Sequence, residues 1–263
     1  MVLDVGLTAD EIKWLASVDV STLRIGWDFD VLEGLGLPEF FKAMTWRPFL
    51  PKHLPGFDVY VWLDADTWVQ DERAVLLAIE LAKSGSLVIV PEISRFYPDM
   101  YAADPAKERL AERKIYTACF GAERATNLIA RPLINCGFFA MAASAQGFKI
   151  WADVLREMYR KVVDFYTEQC SLNYCVYEGN LKICSLPAYC NWICIHALPG
   201  FDQSRQRFIE PGAPIQDLWI VHLAANTKNG QHDLRTPSGQ TVQRSLRYPG
   251  LEQFHPPASG SNA

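Results

Sequence analysis

A chain of 263 residues, 49% hydrophobic and 21% charged, can fill one sizeable core or at most two small domains. Its formal net charge of −5 excludes a general attraction to nucleic acid, whose footprint is a basic face or a pI above about 9. No apolar run approaches the roughly 20 residues that span a bilayer, and Met1–Gly6 lacks the basic start of a signal peptide.

The first elements are short. Met1–Val5 reads as the end of a strand. Thr8-Ala9-Asp10-Glu11 is a capping-box pattern opening a helix to about Ser17, and Thr22–Trp27 suits a second strand. Phe40 to Leu54 is helical or irregular, with breaks expected at Pro48 and Pro51. After the turn signal Pro55-Gly56, Phe57–Leu63 is an apolar, aromatic-rich run of the kind that forms a buried strand. Asp71 can cap a helix over Glu72–Lys83, and Leu87–Val90 is a buried strand stopped by Pro91. This alternation predicts an α/β fold with a mainly parallel sheet.

Between Glu92 and Arg131 the pattern loosens into a candidate lid or acceptor-binding insertion, with a helix over Lys107–Ala118. Leu133–Met141 reads as another buried strand, with an amide and a glycine in its middle. Ser144 is the expected cap of a helix whose stripe of Phe148, Trp151, Val154, Leu155, Met158, Tyr159 and Val162 belongs to the core. A helix over Thr167–Tyr177, a strand over Leu181–Ser185 and a last clear strand over Leu218–His222 follow. The tail 255–263 has the composition of a disordered segment. Seven cysteines, an odd number in a chain of this size, suit the reduced thiols of a cytoplasmic protein, free or peripheral to a membrane. Five of them lie between Cys170 and Cys194 without metal-site spacing, and read as buried thiols. His53, His196, His232 and His255 read as surface or packing residues, and Arg95, in the Glu92–Tyr97 loop, as a solvated arginine ahead of one that touches substrate.

The chemistry concentrates at Asp64 and Asp66, one residue apart at the end of an apolar strand. A buried strand cannot hold two unpaired anions, so the pair must face a cation or solvent where the strand leaves the sheet. The working expectation is a divalent metal that in turn holds a phosphate. His222, also at the end of an apolar strand, is the best imidazole ligand, and its nitrogen shifts the preference from Mg²⁺ towards Mn²⁺.

Val61-Trp62-Leu63-Asp64-Ala65-Asp66-Thr67 resembles the metal-binding motif of GT-A nucleotide-sugar glycosyltransferases, closest to the retaining family 8 group. Four further segments are similar to that family's motifs in the same order: Leu133–Phe139, Glu168–Asn173, Leu186–Trp192 and Ile220–Lys228. The resemblance implies a GT-A-like (Rossmann-like) mixed, mainly parallel sheet flanked by helices, in one domain over residues 1–254. The family's leading strand–helix unit would be absent or incomplete. It implies Mn²⁺ (or Mg²⁺) on Asp64, Asp66 and His222, a UDP-sugar donor, and a glycan, lipid or protein acceptor. Lys228 would bind the diphosphate, with Ala65 and Ala225 beside the cofactor. Asn135 would touch a sugar, and Gln169 with Glu168 would lie beneath the anomeric carbon, for front-face attack or a covalent intermediate. The sequence departs from the family at Glu168 (Asp in the family), Ala225 (Gly) and the additional Cys190. Two other functions compete. A haloacid-dehalogenase-type phosphatase also places an aspartate pair after a strand, but here Thr67 follows one place early and no Asp-Asp pair lies downstream. The other is a degenerate domain that binds a sugar nucleotide without turnover.

Overall fold

The computed structural model describes residues 1–98 and 109–249. At the start, β1 (Val2–Asp4) and β2 (Thr22–Arg24) pair in parallel around α1 (Ala9–Ser17). The capping box is formed in both directions: Glu11 donates its amide to Thr8 Oγ1 at 3.2 Å, and Thr8 donates its amide to Glu11 at 2.7 Å. The second strand is shorter than expected because the Gly26 carbonyl accepts from the Trp46 indole at 3.2 Å rather than from a ladder.

Phe40–Leu54 is helical nearly throughout, as α2 (Phe40–Trp46), a 3₁₀ turn (Arg47–Phe49) and α3 (Leu50–His53). Pro48 and Pro51 start new turns rather than end the path, since an opening position needs no amide donor. The aromatic run becomes β3 (Val59–Leu63), and a strand not foreseen, β4 (Thr67–Val69), follows the aspartates. Asp71 is one residue too early to cap α4 (Arg73–Ala82). The cap position is Glu72, and Asp71 accepts from the Arg73 amide at 3.1 Å.

β5 (Leu87–Pro91) leads to a region described again from Arg109 onward, so Lys107 lies outside the described residues. The expected loose insertion holds α5 (Leu110–Phe120) and α6 (Ala122–Ile129), folded back on each other at Gly121, whose φ of 86° glycine adopts freely. Then come β6 (Ile134–Ala142), α7 (Gln146–Tyr159), α8 (Thr167–Tyr177) and β7 (Ile183–Ser185). Ser144 does not cap α7; the cap position is Ala145, without a side-chain bond. The last clear strand is trimmed to β11 (Ile220–His222), preceded by β8 (Trp192–Ile193), β9 (Gly200–Asp202) and β10 (Arg207–Ile209). β12 (His232–Arg235) and β13 (Thr241–Arg244) follow.

The central sheet has the order β3-β6-β5-β7. Its mainly parallel character is corrected: β6 runs against both β3 and β5, and only β5–β7 is a parallel pairing. The excursion after β5 returns to the end it left, where the Glu92 amide donates to the Leu133 carbonyl at 2.8 Å, so the chain must run back antiparallel. Alternation along the strands feeds two cores. Tyr60, Trp62, Ile89, Phe139 and Met141 face Trp151 and Leu155 of α7, while Val88, Phe138 and Ala140 face Ala74, Ala78 and Ala82 of α4. The stripe on α7 is core, as its periodicity predicts. α5 and α6 pack through Ile115, Tyr116 and Leu128 on Met158 and Cys170. A second sheet, β4-β11-β8, lies beyond the aspartates, with the β9–β10 and β12–β13 hairpins. No helix among the described residues is long and apolar enough to cross a membrane.

Candidate metal centre

Two strand systems meet at Asp64-Ala65-Asp66. The Asp64 amide donates to the Gly137 carbonyl of β6 at 2.8 Å, ending the β3 ladder, and Thr67 closes the turn by donating to the Asp64 carbonyl. The Leu223 amide then donates to the Asp66 carbonyl at 2.7 Å, and Thr67 lies opposite His222 in the β4–β11 pair. The backbone of one aspartate is therefore tied to β6 and that of the other to the residue following β11. This brings His222, far downstream in sequence, onto the pair.

One ligand atom each from Asp64, Asp66 and His222 lies within 4.8 Å of the others. His222 Nε2 is 3.3 Å from Asp66 Oδ1, close to the separation of about 3 Å between adjacent ligands of an ion with bonds of about 2.1 Å. Lys228 Nζ occupies the other oxygen, Asp66 Oδ2, at 2.8 Å. Burial alone would raise the Asp66 pKa, but the hydrogen bonds and charges of His222 and Lys228 outweigh it and hold the carboxyl down at about 2. His222 is buried and its Nδ1 has no partner among the described residues, an open polar atom of the kind a ligand satisfies. Gly137 keeps the space clear: a Cβ there would lie 2.5 Å from His222 Cε1, 2.7 Å from Asn135 Oδ1 and 3.0 Å from Asp64 Oδ2. Two hard carboxylate oxygens and one imidazole suit Mn²⁺ or Mg²⁺.

Behind this group lies a residue that the sequence did not single out. Arg47 is buried between two carboxylates, donating to Asp64 Oδ1 and, at 2.6 Å, to Glu168 Oε2. Its guanidinium lies 5.0 Å over the Trp62 ring, and Trp62 Nε1 donates to the same Asp64 oxygen at 2.6 Å. Asp64 thus commits Oδ1 to the protein and keeps Oδ2 towards the cradle at Gly137. The one local hint was a lone cation within Trp46-Arg47-Pro48-Phe49, but its partners are 17 and 121 residues away.

One guanidinium serving two carboxylates leaves an excess negative charge. Burial lifts the Glu168 carboxyl to about 7 against the pull of Arg47, with Asp64 adding to the rise, and burial also pushes the neighbouring Cys136 thiol well up. Between about 4.5 and 7 the folded protein holds a proton that the unfolded chain has released, so stability falls as pH rises through that window. Urea midpoints compared at about pH 5 and about pH 7.5 should therefore drop more in wild type than in Glu168→Gln, which cannot titrate. Equal drops would contradict the placement of Glu168.

The expected site residues are not all gathered equally. Asn135 lies at the centre, its Oδ1 accepting from the Gly137 amide at 2.7 Å. Glu168 reaches the group only through Arg47. Gln169 is part-exposed on the first turn of α8 and makes no hydrogen bond to the group among the described residues; its carbonyl accepts from Asn173 at 2.8 Å. Ala65 is exposed at the tip of the turn. Ala225 opens the 3₁₀ turn carrying Lys228 and sits at φ 50°, a conformation glycine adopts without cost and alanine does not.

All seven cysteines are free thiols and only Cys184 is not buried. Two expected bystanders have defined contacts: His53 stacks on Trp46 with ring centroids 3.9 Å apart, and His196 meets Glu92 at 2.9 Å. Arg95 bonds to Glu210 and to the Pro214 carbonyl, so it is not merely solvated. His255 and the tail 255–263 lie outside the described residues. No protein-family model matches the chain, and no curated protein matches it.

Proposed function

We propose that the chain is a metal-dependent retaining glycosyltransferase of the GT-A type, moving a hexose from a UDP-sugar to a glycan, lipid or protein acceptor. The observation that carries this reading is the meeting of Asp64, Asp66 and His222, with Lys228 on one of the carboxylates. When bound there, Mn²⁺ or Mg²⁺ supplies Lewis-acid charge to a diphosphate leaving group. The remaining work falls to the chain itself. Lys228 balances Asp66 at 2.8 Å and can turn to a phosphate oxygen as a point charge. Asn135, its Oδ1 fixed on the Gly137 amide, keeps an Nδ2 donor for a sugar hydroxyl. Glu168 has no exposed surface and acts through Arg47 as a positioning residue for Asp64. That leaves part-exposed Gln169 as the group from α8 for the anomeric face, and favours front-face attack over a covalent intermediate on Glu168. Seven free thiols support a cytoplasmic setting.

The closed Arg47–Glu168 pair equally suits a domain that binds a sugar nucleotide without turning it over. The phosphatase reading is less well supported, because the third member of the group is His222 rather than a further carboxylate. Incubation with Mn²⁺ and UDP-glucose or UDP-galactose separates the three. The transferase slowly transfers the hexose to water and so releases UDP, the binding domain releases none, and a phosphatase instead hydrolyses p-nitrophenyl phosphate.

A further inference from the structure

An open cleft of about 480 Å³ lies past the carboxyl ends of β5 and β7, lined in part by Ser94, Arg95, Tyr189, Glu210, Ile215 and Gln216. None of these residues belongs to the metal group. The cleft is joined to that group through β11: the Tyr189 carbonyl accepts from the Trp219 amide at 2.7 Å, and His222 is three residues further along the extended chain, about 10 Å away.

Its lining is amphipathic. The Tyr189 ring is held edge-on by Trp219, with centroids 5.0 Å apart at 72°, so its orientation is set before any ligand arrives. Ile215 is about half exposed and adds an apolar wall. The lining also carries planar polar groups, the Glu210 carboxylate and the Gln216 amide, on a backbone tied by the Glu210 amide donating to the Gln216 carbonyl at 2.8 Å. Gln216 Nε2 donates to the Asp217 carbonyl at 3.0 Å, and Oε1 is the remaining acceptor of that side chain. The charge of Glu210 is balanced by Arg95 at 3.2 Å, and Arg95 is also anchored on the Pro214 carbonyl at 3.0 Å. Among the described lining residues the cleft therefore has hydrogen-bonding capacity with its one positive and one negative side chain paired, an arrangement that favours neutral ligands over phosphates and free carboxylates. A fixed aromatic face, apolar walls and planar polar groups match a ring with apolar C–H faces and an equatorial belt of hydroxyls.

We propose that this cleft binds a neutral saccharide, as a subsite for a part of the acceptor remote from the bond being made. The choice of a saccharide rests in part on the transferase reading. Binding in the cleft needs neither metal nor nucleotide, so either idea can fail while the other stands. The test is saturation-transfer and amide-shift NMR with maltotetraose, cellotetraose and N-acetylchitotetraose, without Mn²⁺ or UDP, on wild type, Tyr189→Ala and Gln216→Ala. At least one tetrasaccharide should bind saturably, shifting the amides of Ser94, Tyr189 and Gln216, and should bind at least about fivefold more weakly to both variants. Gln216→Ala guards against a folding defect in Tyr189→Ala, whose ring also packs on Trp219. The proposal is overturned if no tetrasaccharide binds up to about 20 mM, if binding is equal in wild type and Gln216→Ala, or if hexaproline occupies the cleft instead.

Discussion

Arg47→Ala is expected to lower folding stability by about 3–5 kcal/mol near neutral pH, the usual cost of removing one partner from a buried ion pair. Arg47 is 5% exposed and Glu168 has no exposed surface, so deletion of the guanidinium leaves Glu168 in the core without a cation. Asp64 loses the same donor. The cost should shrink at about pH 5, because Glu168, whose pKa burial lifts to about 7, can then take up a proton. Adding Glu168→Gln to an Arg47→Met variant should recover much of the loss, since the uncompensated charge is gone. Urea unfolding checks all three expectations. A loss below about 1 kcal/mol for Arg47→Ala at neutral pH would mean that the pair is solvated.

Gly137→Ala should weaken Mn²⁺ binding by about 10–100-fold, the range seen when groups supporting metal ligands are disturbed. The added methyl would lie 2.5 Å from His222 Cε1. His222 cannot easily retreat, because β11 is paired on both sides, with β4 and β8. Asn135 and Asp64 can rotate away, but only by leaving the positions that define the site. Titration of Mn²⁺ followed by electron paramagnetic resonance would measure the change, with circular dichroism to establish that the fold persists. Unchanged Mn²⁺ affinity in a folded variant would place the metal elsewhere.

What could be read in the sequence was what is written locally. The capping box at Thr8, the stripe on α7 and the end of α8 before Glu178-Gly179-Asn180 all follow from end signals or periodicity within one element. So did the aspartates, because an apolar strand followed by two carboxylates is itself a conflict that needs a resolution. The direction of β6 was not legible: an apolar strand reads the same either way, and only the Glu92–Leu133 closure decides it. Strands of two to four residues such as β4, β8 and β10 are too short to display a period, and exist through pairing. Arg47 was missed for the same reason, since both of its partners are brought to it by the fold. The metal group has gained a buried cationic support that fixes Asp64, while Gln169 stands apart from it.

The central claim is that Asp64, Asp66 and His222 hold a divalent ion that in turn holds a nucleoside diphosphate, with Lys228 assisting. Calorimetry of UDP binding, with and without Mn²⁺, on wild type and Asp66→Ala tests it most directly. Wild type should bind UDP at least about tenfold more tightly with Mn²⁺, a gain of about 1.4 kcal/mol or more, and Asp66→Ala should lose that gain. Equal affinity with and without Mn²⁺, or a gain that survives Asp66→Ala, would contradict it.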